Sequence, residues 1–126
     1  HLALPVQFAS QLTGTADARA AAEALWAGSR SAVVVTLGTE GCWYVSAEQG
    51  ETVRHHPAFR VPTVDTTGCG DVFHGAYAAG LARGLGLAER VRLASAAAAI
   101  KVTRAGGQKG IPTKTEVEAF LASVAR

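Results

Sequence analysis

Two carboxylates and three small residues stand together in Asp65-Thr66-Thr67-Gly68-Cys69-Gly70-Asp71, just ahead of apolar residues at helical spacing. Gly68, Cys69 and Gly70 let the backbone turn closely and leave consecutive N–H groups unpaired where a helix begins, at about residues 69–72. Such a helix mouth attracts phosphate. Asp71, in the first turn, would repel a phosphate unless it had another task. Two readings of it stand: a favourable charge at a helix N-terminus, or a base aimed at a substrate hydroxyl.

The helix that carries this mouth is marked by Phe73, Ala76, Tyr77, Gly80 and Leu81, spaced for one buried face, with Ala78, Ala79 and Gly80 small enough for close packing. Around it, the apolar periodicity predicts helices over residues 4–12, 16–26, 88–103 and 114–124. The continuous apolar run at residues 31–37 predicts a buried strand of the kind parallel sheets contain. A turn at residues 38–41 then leads into a hairpin strand at 42–45, with another short strand at 51–56. Glycines at 84, 86, 106, 107 and 110 punctuate the helical half. Alternating helices and strands predict an α/β chain. No internal repeat is present, and Ala94-Ser95-Ala96-Ala97-Ala98-Ala99 reads as a tightly packed helix.

Thr36-Leu37-Gly38-Thr39-Glu40-Gly41 lies at the carboxyl end of the buried strand, where open α/β sheets place ligands. By itself it reads equally as a hairpin turn with glycines at positive φ. The turn at residues 103–110 reads as a helix stop with a cationic last turn. His55 and His56, adjacent on a strand, point to opposite faces and cannot easily chelate one ion. His74, three residues beyond Asp71, shares its helical face.

Composition excludes several classes. With 126 residues, 48% hydrophobic and 17% charged, the chain can build one core. A net charge of +2 with no Lys/Arg cluster interleaved with aromatics argues against nucleic acid. No stretch reaches the roughly 18–20 apolar residues of a membrane span, and with no basic-then-apolar run in the residues given, neither a span nor a leader is expected. Cys42 and Cys69 lack metal-ligand spacing and read as free thiols, so a cytoplasmic, reducing location is expected.

Asp65-Thr66-Thr67-Gly68-Cys69-Gly70-Asp71-Val72-Phe73-His74-Gly75 resembles the C-terminal signature of the ribokinase-like (PfkB) carbohydrate kinases, and the similarity runs from about Leu12 onward. The resemblance implies a ribokinase-like three-layer α/β fold with a central, mostly parallel sheet flanked by helices. It also implies that residues 1–126 form the C-terminal, ATP-binding and catalytic part of a single kinase domain. The start at His1, without Met, fits a fragment whose N-terminal part and lid are missing, inactive by itself.

In that family the second Asp removes the proton from the sugar hydroxyl while the N–H groups before it hold the transferring phosphoryl group. By position these are Asp71 and Gly68, Cys69 and Gly70. The resemblance assigns Thr36, Gly38 and Gly41 to the ATP phosphates; no Lys-Ser/Thr ending makes this a Walker loop. Adenine would lie against Val61, Ser95, Ala98 and Val102. Asp65 would serve the substrate side or a monovalent cation, K⁺, ringed mostly by backbone oxygens of Asp65, Thr67, Lys101, Arg104, Gly106 and Gly110. Mg²⁺ would accompany ATP. Many relatives carry an Asn-x-x-Glu motif for it where this chain has Pro5-Val6-Gln7-Phe8, so no side chain is nominated. The expected partners are a small sugar and ATP, with no nucleic acid or membrane, and a homodimer as an assembly the resemblance allows. Two alternatives stay open: a non-catalytic nucleotide-binding module, and a nucleoside or sugar-phosphate kinase of the same fold.

Overall fold

The computed structural model describes residues 1–26 and 30–124, which fall into two compact units, His1–Ala58 and Phe59–Arg126. The first is built on a four-stranded sheet of β1 (Leu2–Pro5), β2 (Ala32–Thr36), β3 (Cys42–Ser46) and β4 (Arg54–His56), in that spatial order. Helices α1 (Val6–Thr13) and α2 (Ala18–Leu25) connect β1 to β2. Ala32 to Val35 are buried without exception in a strand paired on both edges, and the β-branched side chains of Val33, Val34 and Val35 suit the pleat.

Two expectations change here. The first helix does not begin at residue 4: Leu2–Pro5 is a strand parallel to β2, with Leu2 opposite Val33 and Pro5 opposite Thr36. Pro5 forces the residue before it toward extended backbone, and Pro5 itself sits at φ −72°, ψ 156° before the helix starts at Val6. The last strand is shorter than residues 51–56, because Glu51 adopts φ 60° and gives its N–H to the Ser46 carbonyl, which closes a turn instead. The β2–β3 and β3–β4 pairs are antiparallel, so the sheet is mixed, with one parallel pair among the described strands.

Helix α2 starts on an Asp17 cap that accepts the Arg19 N–H at 3.3 Å. It buries Ala18, Ala21, Ala22 and Leu25, the i, i+3, i+4, i+7 stripe. These meet Leu4, Ala9, Val33, Val35 and Val45 in the core of the first unit. Small residues on the helix face let it lie close to the sheet.

The second unit is helical: α3 (Cys69–Ala82), α4 (Leu87–Val102) and α5 (Lys114–Val124). Gly80 is the close-approach point of α3 and α4, since a Cβ there would come within 3.1 Å of Arg90 Cγ and 3.3 Å of Leu93 Cδ2. Ala96, Ala97, Ile100 and Val117 form the core under α5. Phe59 and Phe120 pack edge to face beside them, 5.2 Å between ring centres. Among the described residues no helix is long and apolar enough to cross a membrane.

Gly41, between β2 and β3, has a steric reason for being glycine: its φ is 88°, and a Cβ would stand 2.0 Å from the His56 carbonyl oxygen. Gly41→Ala is expected to destabilise the protein by roughly 2 kcal/mol or more, from backbone strain and overpacking together. Urea unfolding would measure it, and a midpoint equal to the parent's would contradict this account of the turn.

Candidate functional site

The predicted helix mouth forms at Gly68, which caps α3 in the left-handed region at φ 76°. A side chain there would be strained, and no side chain caps the helix. The Cys69 N–H closes a turn onto the Thr66 carbonyl at 3.1 Å, and the Val72 N–H returns to Gly68 at 2.9 Å. Among the described residues the N–H groups of Gly68, Gly70 and Asp71 have no protein acceptor. Of the three nominated donors, Cys69 is therefore engaged, and Asp71 adds its own N–H in exchange. That substitution could not be read from the sequence, because it depends on the turn that Thr66 and Cys69 close.

The Asp71 side chain is exposed in the first turn of α3. With Thr67 and Gly68 it rims a cleft of about 610 Å³ in the second unit, walled by small residues of α3 such as Gly75 and Ala79 and by Ala97 of α4. Arg83 and Lys114 add cationic charge to its lining. His74 turns back on its own helix, with Nδ1 2.6 Å from the Gly70 carbonyl, and does not border the cleft. An anion at this mouth would meet unpaired N–H donors, and a hydroxyl beside it would meet a carboxylate.

Behind the mouth, the segment 62–68 is tied to the end of α4. Val64 and Asp65 both give their N–H to the Val102 carbonyl, at 2.7 and 3.1 Å. The Asp65 carboxylate accepts the Thr67 N–H at 2.9 Å on one oxygen and the Gly106 N–H at 2.9 Å on the other. Bonds from the Thr67 hydroxyl and N–H, then from the Gly106 N–H, with the Lys101 ammonium adding to them, hold Asp65 down to about 2. Both oxygens already have protein donors, so Asp65 braces the loop against the 103–110 turn.

Lys101 is fully buried at the end of α4. Its Nζ donates to the Asp65 carbonyl at 3.3 Å and reaches the Arg104 carbonyl at 3.5 Å. Cys69 Sγ also lies 3.9 Å from the Asp65 carbonyl, its thiol pushed up by burial and pulled back by Lys101. Arg104 pairs through its side chain with Glu116. Gly110 leaves room for the lysine: a Cβ there would lie 2.7 Å from Lys101 Cδ. The structure places Asp65, Thr67, Lys101, Arg104, Gly106 and Gly110 in one region of the second unit, with the Lys101 ammonium against the Asp65 and Arg104 carbonyls. The last-turn lysine reads in sequence as a helix-end charge, although Ala94 and Ala97, seven and four residues before it, share its face and are buried.

Of the residues nominated for adenine, Ser95, Ala98 and Val102 share one face of α4, and neither they nor Val61 border the cleft. Thr36, Gly38 and Gly41 belong to the first unit, where the Leu37 N–H meets the Gly41 carbonyl at 2.7 Å and Gly38 sits at φ 58°. Cys42 is buried there and its thiol is pushed up to about 12. Both cysteines are free. Among the described residues no group of three or more His, Cys, Asp or Glu side chains could hold a metal ion. Pro5-Val6-Gln7-Phe8, at the junction of β1 and α1, supplies no carboxylate.

Residues 7–114 match the pfkB family of carbohydrate kinases. The ribokinase of Lactococcus lactis subsp. lactis is 43% identical over 89 residues, which are 71% of this chain and 29% of that protein. The crystal structure of ribokinase from Thermotoga maritima superposes with a TM-score of 0.84 at 38% identity, over 96% of this chain and 41% of the other. The structure of Arabidopsis thaliana ribokinase complexed with ribose and ATP gives 0.82 at 29% identity, over 95% and 40%. The chain thus spans less than a third of the curated relative's length, and these neighbours carry the ribokinase-like α/β fold.

Because Asp65 lies near 2 in the folded chain and near 3.8 ordinarily, its stabilising contribution is complete above about pH 4 and disappears as pH falls through about 2. The stability difference between the parent and Asp65→Asn should therefore be largest near neutrality and shrink between pH 4 and 2, as followed by urea unfolding. A difference constant with pH would contradict the brace.

Proposed function

Because this chain belongs to the pfkB family of carbohydrate kinases, we propose that it forms the nucleotide-binding and catalytic half of an enzyme that moves the γ-phosphoryl group of ATP to a sugar hydroxyl. The observation that carries the reading is the helix mouth, where unpaired N–H groups of Gly68, Gly70 and Asp71 stand beside the exposed Asp71 carboxylate. The Arabidopsis neighbour's ribose and ATP support a sugar acceptor and a nucleotide donor.

In the proposed reaction the acceptor hydroxyl attacks the γ-phosphorus while the bond to the ADP oxygen breaks. The hydroxyl proton passes to Asp71, and ADP leaves with the electron pair of the broken bond. Charge spreads over the equatorial oxygens of a loose transition state, so positioning and neutralisation dominate over base strength. The N–H donors at the mouth face those oxygens, and the positive end of α3 adds to them. Mg²⁺, held by the nucleotide's own phosphates, would supply neutralisation of their charge. Thr36, Gly38 and Gly41 are assigned to the nucleotide phosphates, and Val61, Ser95, Ala98 and Val102 to adenine. Asp65 serves by holding the loop.

The test uses the full-length protein containing this chain, with MgATP and ribose or fructose as acceptors. Asp71→Asn is expected to lower kcat by about 10²- to 10⁴-fold, the usual contribution of a positioned base, with ATP affinity retained. Unchanged turnover would overturn the base assignment. ATP binding without turnover in the parent protein, over a panel of sugars, nucleosides and sugar phosphates, would instead favour a non-catalytic nucleotide module.

A further inference from the structure

A buried ammonium group needs oxygen around it, since an unpaired charge away from water is strongly disfavoured. Lys101 finds that oxygen in backbone carbonyls from two separate segments, Asp65 before the helix mouth and Arg104 in the turn after α4. The same two segments are joined by the Asp65 carboxylate, which accepts an N–H from Thr67 on one side and from Gly106 on the other. The ammonium and the carboxylate thus close one clamp. In it, main-chain oxygens of a loop and of the turn after a helix face a single positive charge.

An ammonium group is close to a potassium ion in size and charge, and here it is attached to the chain. Asp65 and Arg104 contribute two of the oxygens expected to surround K⁺, and both face Lys101 Nζ. Gly110, another position expected in that ring, packs against the lysine stem so tightly that a Cβ would clash with Cδ and with Cε, at 2.7 and 2.9 Å. A free cation would have to share the same carbonyls with a like charge. The residues present therefore do not fit an exchangeable K⁺.

We propose that Lys101 is a tethered cation that replaces an exchangeable monovalent ion, holding the 62–68 segment to the 103–110 turn so that the helix mouth keeps its shape without K⁺. It is a positioning residue, acting on the site through the Asp65 backbone. A tethered cation takes no ion from the medium, so the clamp does not vary with the medium's ionic composition. The activity arm of the test rests on the kinase reading; the stability arm does not.

The full-length protein is compared in K⁺ and in tetramethylammonium at equal ionic strength. The parent's thermal midpoint is expected to be the same in both, because an ion that bound only the folded state would raise it. Its kcat is expected to agree within about twofold, well inside the 10- to 100-fold by which groups supporting a site act. Lys101→Ala, which removes the ammonium and opens its space, is expected to lower kcat by about tenfold or more on the same scale. Its stability and rate are expected to recover with K⁺ or methylammonium and not with tetramethylammonium. A parent midpoint or rate that rises clearly with K⁺ overturns the proposal, as does a variant indifferent to small cations. If Lys101→Ala does not fold, the parent's two arms still decide. Absence of turnover in the parent would count against the kinase reading and leave the stability arm standing.

Discussion

Everything at the helix mouth depends on how the chain just before it is pinned to the end of α4. The Val102 carbonyl takes two N–H groups, from Val64 and Asp65; the Asp65 carboxylate takes two more, from Thr67 and Gly106. Lys101 then places a positive charge among the carbonyls left over. These bonds close where four consecutive N–H groups of a loop and helix start would otherwise be free to collapse onto local acceptors. Only Cys69 does so, and its bond to Thr66 shapes the turn that leaves Gly68, Gly70 and Asp71 open. An anion site made of backbone is only as good as the fixation of that backbone.

Much of this was legible in the residue types. Glycine at 68 reported a left-handed cap, and Asp71 after it reported a carboxylate in a first turn; both are where the sequence placed them. The helices α3, α4 and α5 and the strands β2 and β3 lie within a residue or two of the periodicity's bounds. Strand β1 was hidden because its identity comes from parallel pairing with β2, far along the chain, and four residues of alternating size carry no periodic signal of their own. The shortened β4 turned on Glu51 taking a positive φ, which an acidic residue does not advertise.

The site's chemistry divides the same way. Residue type pointed to a carboxylate beside phosphate-binding N–H groups, and the family match makes the resemblance a membership. Residue type could not say which N–H groups stay free, nor that the Asp65 side chain would be consumed by structural bonds. The role of Lys101 was least visible, because backbone carbonyls leave no trace in a sequence and a lysine's reach is decided by its surroundings. Gly41 shows the reverse: it is assigned to nucleotide phosphates, yet the nearness of the His56 carbonyl would require glycine there in any case.

The central claim is that specific backbone N–H groups at the start of α3 hold the transferring phosphoryl group. The most direct measurement is amide hydrogen exchange, resolved by residue, in the full-length protein with and without MgADP, sugar and aluminium fluoride as a mimic of the transferring group. The account predicts slowed exchange at Gly68, Gly70 and Asp71 on binding, with Cys69, already bonded to Thr66, changing least. Protection centred on Cys69, or none at the helix mouth while nucleotide is bound, would contradict it.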